Sequence, residues 1–394
     1  MNDRLRSEPR VSVVLPTYNQ LAFLPLAIES LQHQSFADFE LVIVNDGSTD
    51  GTDAYLRGLD DPRIRLIEQA NAGLPRALNA GFRTARGELL TWTSSDNYCA
   101  PLYLEALVGA LDAFPEAALA VSAFAWVDEL GRIERVTRDQ DLSYRSFLCS
   151  NPGVASFLYR SSCQREIGEY DPSLSGAEDW DMWLRIVERF EAVYVPEILY
   201  YYREHSESMT ARIPETVHRA SCKVVERALA RQHDELPLEK LYPGLTRCAD
   251  LDAANAEACF DFGARTLRSP FWPPQLACRF LETALQLRPG DAAIATDLAL
   301  ACARAGDFER SLSLTSELRR VKQPPFDALC ARVEEVARAE RADLALLLPY
   351  FLPDPERHEF LNSERPKTFS VVCGAGGAQP SSWTAATTFC AEGR

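Results

Sequence analysis

The chain has 394 residues, 46% hydrophobic and 25% charged, the balance of a soluble globular protein with room for two or three domains. Its formal net charge of −16 excludes general binding to nucleic acid or an anionic membrane, so an anionic ligand needs a local remedy such as a metal ion or a helix N-terminus. The 11 scattered cysteines, without a C-x-x-C pair, read as reduced thiols in a cytoplasmic protein, and no apolar run reaches transmembrane length.

Residues 1–10 form a polar tail without the apolar core of a signal peptide. Val11 to Leu15 is apolar but for Ser12, as in a strand of a buried parallel sheet. It runs into the turn Pro16-Thr17-Tyr18-Asn19, and Leu21, Leu24, Ile28 and Leu31 then recur at helical spacing. A second strand, Phe39 to Val44, stops at the turn cluster Asn45-Asp46-Gly47-Ser48-Thr49-Asp50. A helix through Tyr55 and Leu56, a strand Arg63 to Ile67, a turn at Asn71-Ala72-Gly73 and a helix Leu74 to Thr84 follow. The next strand begins at Glu88 and breaks into Ser94-Ser95-Asp96-Asn97, and Pro101 opens another helix. Short alternation of strand and helix predicts a doubly wound, mostly parallel α/β sheet. In such a sheet the strand ends carrying Tyr18, Asp46 and Asp96 lie along one crevice, where ligands bind. Read singly, Tyr18 is a half-buried loop aromatic, and Asp46 and Asp96 are turn or cap residues.

Further on, Leu119 to Val127 reads as a strand, Asp128 to Arg132 as a hairpin turn, Leu142 to Cys149 as a helix and Phe157-Leu158 as a strand. Trp180, Trp183, Leu184 and Val187 share one helical face, and Glu178 and Asp179 open that helix as favourable first-turn charges. A strand from Val193 leads to Tyr202-Arg203-Glu204-His205. After Arg212 the alternation stops and only helical patterns remain, the first over Thr216 to Gln232.

The set Pro16-Thr17-Tyr18-Asn19, Val44 to Asp50, Asn71-x-Gly73 with Asn79-x-Gly81, and Ser95-Asp96-Asn97 with Pro101 resembles family 2 glycosyltransferases of the GT-A fold. The resemblance runs to about residue 212 and implies a sugar transferred from a nucleotide-diphosphate donor, a UDP-sugar first. It implies that Pro16, Thr17, Tyr18, Asn19, Asp46, Asn71, Gly73, Asn79, Ser95 and Asp96 line the donor site, Tyr18 stacking on the base and Asp46 accepting its N3–H. Asp96, with His205, is the expected ligand set for Mg²⁺ or Mn²⁺. Asp179 is the expected catalytic base of an inverting displacement, with Glu178 and Asp181 as acceptor-side or backup carboxylates. One departure stands out: Ser94 occupies the first position of the family's Asp-x-Asp motif. That departure sustains a competing reading, a weak nucleotide-sugar-binding scaffold.

Ala284-Leu285, Leu287, Pro289-Gly290-Asp291-Ala292, Ala303 and Gly306-Asp307-Phe308 resemble a tetratricopeptide repeat, a module that docks protein partners. The expected organisation is therefore a GT-A domain over 11–212, a helical linker over 213–250, a repeat-like all-α region over 251–322, and a weakly patterned end over 323–394. In that end, a helix over 326–348, a strand over 368–373 and a glycine cluster over 374–377 were the readable features, with disorder or the start of another domain as the reading of the tail. The acceptor is expected to be a glycan, a lipid-linked molecule or a protein. The expected location is cytoplasmic, with peripheral attachment at the inner face of a membrane as a second placement.

Overall fold

The computed structural model describes residues 8–138, 140–206, 208, 212–232, 236–321, 330–331, 333–335 and 367–368. Strand and helix alternate through β1 (Val11–Thr17), α1 (Leu24–Gln32), β2 (Phe39–Asn45), α2 (Thr52–Arg57), β3 (Ile64–Glu68), α3 (Leu74–Thr84) and β4 (Leu89–Trp92). The chain continues through β5 (Tyr98–Cys99), α4 (Tyr103–Ala113), β6 (Ala117–Val127), β7 (Ile133–Thr137), α5 (Tyr144–Cys149) and β8 (Phe157–Arg160). Then come α6 (Ser161–Ile167), α7 (Glu178–Val187) and the long β9 (Glu191–Arg203). Helices follow: α8 (Pro214–Arg231), α9 (Leu238–Leu241), a 3-10 turn Pro243–Arg247, α10 (Leu251–Arg268), α11 (Pro274–Leu287), α12 (Ala292–Ala305) and α13 (Phe308–Val321). The two-residue β10 (Lys367–Thr368) pairs parallel with β9.

One sheet runs in the order β10-β9-β6-β8-β4-β1-β2-β3. β1 is central and parallel to both β2 and β4, and β3 is parallel to β2. β8 is inserted antiparallel between β4 and β6, while β6 and β9 are parallel. The architecture is thus the mostly parallel α/β sheet expected, with a helical region after it. The expected ends of the strands and helices through α3 hold to within a few residues; α4 begins at Tyr103, two residues after Pro101, and β9 is far longer than the strand expected at Val193.

Alternate side chains of a strand face opposite ways. Val11, Val13 and Leu15 pack with Ile28 and Leu31 of α1 and Leu104 and Leu107 of α4. Val14 faces the other layer, with Leu78 of α3 and Trp180 and Trp183 of α7. That second core does not stop at residue 212. Phe262, Trp272, Leu281 and Leu298 of the helical region belong to the same buried cluster. A Cβ on Gly263 would lie 2.7 Å from Leu281 Cγ, so glycine is what lets α10 and α11 pack so closely.

Ser12, the polar interruption in β1, anchors a buried network at the N-terminal ends of the strands. Its hydroxyl donates to Glu40 Oε1 at 2.6 Å and accepts from the Gly87 amide at 2.8 Å. Arg86 and Arg65 both reach Glu40 Oε2, at 2.8 and 2.9 Å. Burial alone would raise the Glu40 carboxyl, but these donors more than offset it and hold it lowered to about 2. This end of the sheet is locked, and the opposite end is left for ligand chemistry.

The helix read over 326–348 lies largely outside the described residues; within it, 330, 331 and 333–335 are helical. The strand read over 368–373 is described only at Thr368, and the glycine cluster lies outside the described residues. Among the described residues no helix is long and apolar enough to cross a membrane, and no cysteine is in a disulfide.

Candidate active site

The parallel register brings Thr17, Asn45 and Trp92 to the same edge of the sheet. The loops after β1 and β2 are stitched together. The Asp46 amide donates to the Thr17 carbonyl at 2.9 Å, and the Asn19 amide donates to Ser48 Oγ at 3.0 Å. Thr49 N–H returns to Asn19 Oδ1 at 2.7 Å, and Leu21 N–H reaches Asp50 Oδ2 at 3.0 Å. Asn19 holds a positive φ of 52°, which asparagine tolerates better than most residues. Gly47 combines φ +76° with a Cβ position only 2.7 Å from Asn71 N, so only glycine lets these two loops meet. Pro16 and Thr17 are buried, and Thr17 Oγ1 has no hydrogen-bond partner among the described residues. Tyr18 is 48% exposed at the mouth, with its ring free to stack.

Asp46 is 4% exposed. Its Oδ1 accepts from Gln69 Nε2 at 2.7 Å and the Ala72 amide at 2.9 Å, and its Oδ2 accepts from the Gly73 amide at 2.9 Å. A carboxylate has about four acceptor positions, so this one shapes the 69–73 loop and keeps a single vacancy. Asn71 is exposed on that loop, and Gly73 caps α3 with φ +87°.

Ser95 is buried and Asp96 partly exposed after β4. Asp96 Oδ2 lies 3.0 Å from His205 Nε2, while Asp96 Oδ1 is buried without a hydrogen-bond partner among the described residues. The His205 side chain is 2% exposed and packs on Phe23 at 4.9 Å between ring centroids. Arg203, the last residue of β9, holds this loop: its amide donates to Asn97 Oδ1 at 2.8 Å and its Nε to the Asp96 carbonyl at 3.0 Å. The same guanidinium bonds the Glu129 carbonyl at 2.6 Å, tying in the β6–β7 hairpin. Among the described residues no three His, Cys, Asp or Glu side chains converge on a metal position. The orphaned Asp96 oxygen beside a histidine still fits a hard cation that takes its remaining ligands from a diphosphate and water.

Asp179 opens α7 beside the fully buried Trp180, whose amide donates to Asp179 Oδ1 at 2.6 Å. Burial pushes the Asp179 carboxyl up to about 6. Glu178, buried and bonded to the Gly176 amide at 2.6 Å, is pushed above the usual carboxylate range by burial and by the adjacent Asp179 charge. The Tyr170 hydroxyl accepts from Trp92 Nε1 at 3.0 Å, and burial, with a smaller push from the Asp179 charge, raises that phenol well above its usual value.

Two expected site residues sit elsewhere. The Asn79 amide is buried and bonded on both sides to the Tyr170 backbone, at 2.8 and 3.0 Å, so it fixes the Tyr170 loop. Asp181 turns to the other side of α7, where Arg185 Nε donates to it at 2.8 Å and Arg231 lies 3.8 Å away. An ion-paired carboxylate there takes part in the packing of α7 on α8. Sequence reading missed Gln69, Trp92, Tyr170 and the anchoring part of Arg203. The one signal was Arg203, since a buried arginine at a strand end needs partners.

Residues 12–175 match the family model Glycosyl transferase family 2. The chain carries a domain of that kind. An uncharacterized protein of Sinorhizobium fredii, y4gI, is 31% identical over 58% of this chain and 26% of its own length. An uncharacterized glycosyltransferase of Rickettsia felis is 27% identical over 63% of this chain and 43% of its own. This chain therefore spans less than half the length of these two relatives. Among solved structures, S. aureus TarS residues 1–349 in complex with UDP-GlcNAc aligns with a TM-score of 0.51 at 16% identity, covering 84% of this chain and 92% of that one. At that identity the likeness is one of fold, and it extends past the sheet into the helices.

Proposed function

We propose that this chain transfers a hexose from a nucleotide-diphosphate sugar, a UDP-sugar first, to a hydroxyl of a glycan, lipid-linked or protein acceptor, with inversion. The observation that carries the reading is the Asp96–His205 pair at the loop ends after β4 and β9, whose buried second carboxylate oxygen has no hydrogen-bond partner among the described residues. Tyr18 stacks on the base, and the free acceptor position of Asp46 takes the base N3–H. Asn19, Asn71 and Gly73 shape the loops around the base and ribose. Asp96 and His205 are the residues to hold Mg²⁺ or Mn²⁺, which when bound neutralises the charge on the departing diphosphate.

Asp179 takes the acceptor hydroxyl proton as that oxygen bonds to the anomeric carbon. The bond from that carbon to the donor phosphate oxygen breaks, and the nucleoside diphosphate leaves. A carboxyl raised by burial is better matched to this work near neutral pH than an ordinary aspartate. The catalytic unit is assigned to 11–212, with 213–250 as a linker and 251–322 as a tetratricopeptide-like surface for a protein partner. Thermal shift against UDP- and GDP-sugars with and without Mn²⁺, followed by nucleotide release, tests the reading. A UDP-sugar should stabilise the protein only with the metal and should turn over. Stabilisation without turnover against any acceptor would favour the scaffold reading, and no stabilisation by any nucleotide would refute donor binding.

A further inference from the structure

The C-terminal turns of helices leave carbonyls without intrahelical partners. In α5 two of these, Phe147 and Leu148, are taken by indole donors that arrive from different parts of the chain. Trp180 Nε1, on α7 next to Asp179, donates to the Phe147 carbonyl at 2.7 Å. Trp272 Nε1, on the turn between α10 and α11, donates to the Leu148 carbonyl at 3.0 Å. Both indoles are buried. The neighbour of Trp272, Phe271, meets the Trp180 ring edge-on at 5.4 Å. Arg304 of α12 holds the turn itself, donating to the carbonyls of Leu267 at 2.6 Å and Ser269 at 2.8 Å. A second buried link joins the same parts: Arg145 of α5 lies 3.9 Å from Asp261 of α10, which also accepts from Tyr242 at 2.5 Å.

From this we infer that the Phe271–Trp272 turn is a positioning element for Asp179, so that the helical region completes the active site as well as following it in sequence. The inference rests on the reading of Asp179 as the base. α5 is the shared part: both indoles are bonded to its last turn, so a shift of the turn is passed to Trp180 and from there to the carboxylate beside it. Precise placement of a base is worth much in rate, and a shift of about 1 Å can cost on the order of a hundredfold.

The test uses Trp272→Phe in the full chain, which removes the N–H and keeps a ring, and Phe271→Leu as a second variant should the first not fold. Hydrogen exchange should rise across α5 and the start of α7 and stay unchanged in β1 to β4. This readout does not depend on any activity. UDP affinity with Mn²⁺ should change by less than about twofold, while UDP release from the best UDP-sugar falls by about tenfold. In an Asp179→Asn background the same change should cost no further activity, because groups acting through one another do not add. Unchanged exchange in α5 and α7, a matching loss of UDP affinity, or full additivity with Asp179→Asn would overturn the inference. If Asp179→Asn alone leaves UDP release intact while Trp272→Phe still loosens α7, the assignment of the base fails and the mechanical coupling stands.

Discussion

Replacing Asp179 with asparagine should weaken catalysis and strengthen the fold at the same time. The substitution keeps the shape and the acceptor for the Trp180 amide. It removes a carboxylate whose charged form is penalised by burial. A rise from 3.8 to about 6, at about 1.4 kcal/mol per unit, sets a ceiling of about 3 kcal/mol on that penalty. Partial exposure to solvent reduces it to ~1–2 kcal/mol. The sign follows from linkage: a raised folded-state value favours the protonated form, so that contribution is full below 3.8 and lost as pH rises through about 6. Asp179→Asn should therefore melt higher than the parent at pH 7.5, by ~1–3 °C, and show little difference near pH 4. UDP binding with Mn²⁺ should be unchanged, while sugar transfer falls by a factor on the order of 10²–10⁴. In the parent, the acid limb of the pH–rate profile should lie above the ordinary aspartate range. Calorimetry at the two pH values and UDP release measure all three quantities. A variant that is less stable at pH 7.5, or one that transfers sugar at the parent rate, would refute the reasoning.

Asp96→Ala should abolish the Mn²⁺-dependent part of UDP binding, and Ser94→Asp should strengthen it; titration calorimetry with UDP reads both, and unchanged affinity in Asp96→Ala would move the metal elsewhere. Asp181→Asn should leave the rate within about threefold of the parent but lower stability by ~1–3 kcal/mol, since it removes the anion from a mostly buried pair while Arg185 keeps the Ile167 and Glu169 carbonyls; a fall in rate without a fall in melting temperature would make Asp181 the base instead. Glu40→Gln should cost about 2–4 kcal/mol at pH 7 by leaving Arg86 and Arg65 without their anion. Because the Glu40 value is depressed, its contribution is present above 4.5 and lost as pH falls through about 2, so urea melts of parent and variant should converge in acid.

Turn chemistry and alternation were enough to read the central strands. Val11 to Leu15 is mostly apolar because β1 is covered on both faces, and the turn after β2 is marked by Asn45, whose side chain accepts from the Ser48 amide three residues on. Both are properties of a few adjacent residues, and the sequence carries them openly. The antiparallel place of β8 between β4 and β6 was not legible, since neither its length nor its composition states which neighbours it will pair with. Partner choice inside the site was equally hidden. Asp46 bonds residues 26 and 27 positions away, Asn79 one 91 away, and Trp272 one 124 away. Only packing brings such groups within hydrogen-bond distance. Residue type alone determined that Asp46, Asn79, Asp96, Asp179 and Asp181 could act on a ligand. Tertiary structure decided that Asn79 and Asp181 are spent on the Tyr170 loop and on Arg185, and that Asp96 keeps a carboxylate oxygen unpaired. A buried polar group must be satisfied by whatever the fold places beside it, and the sequence does not list those neighbours.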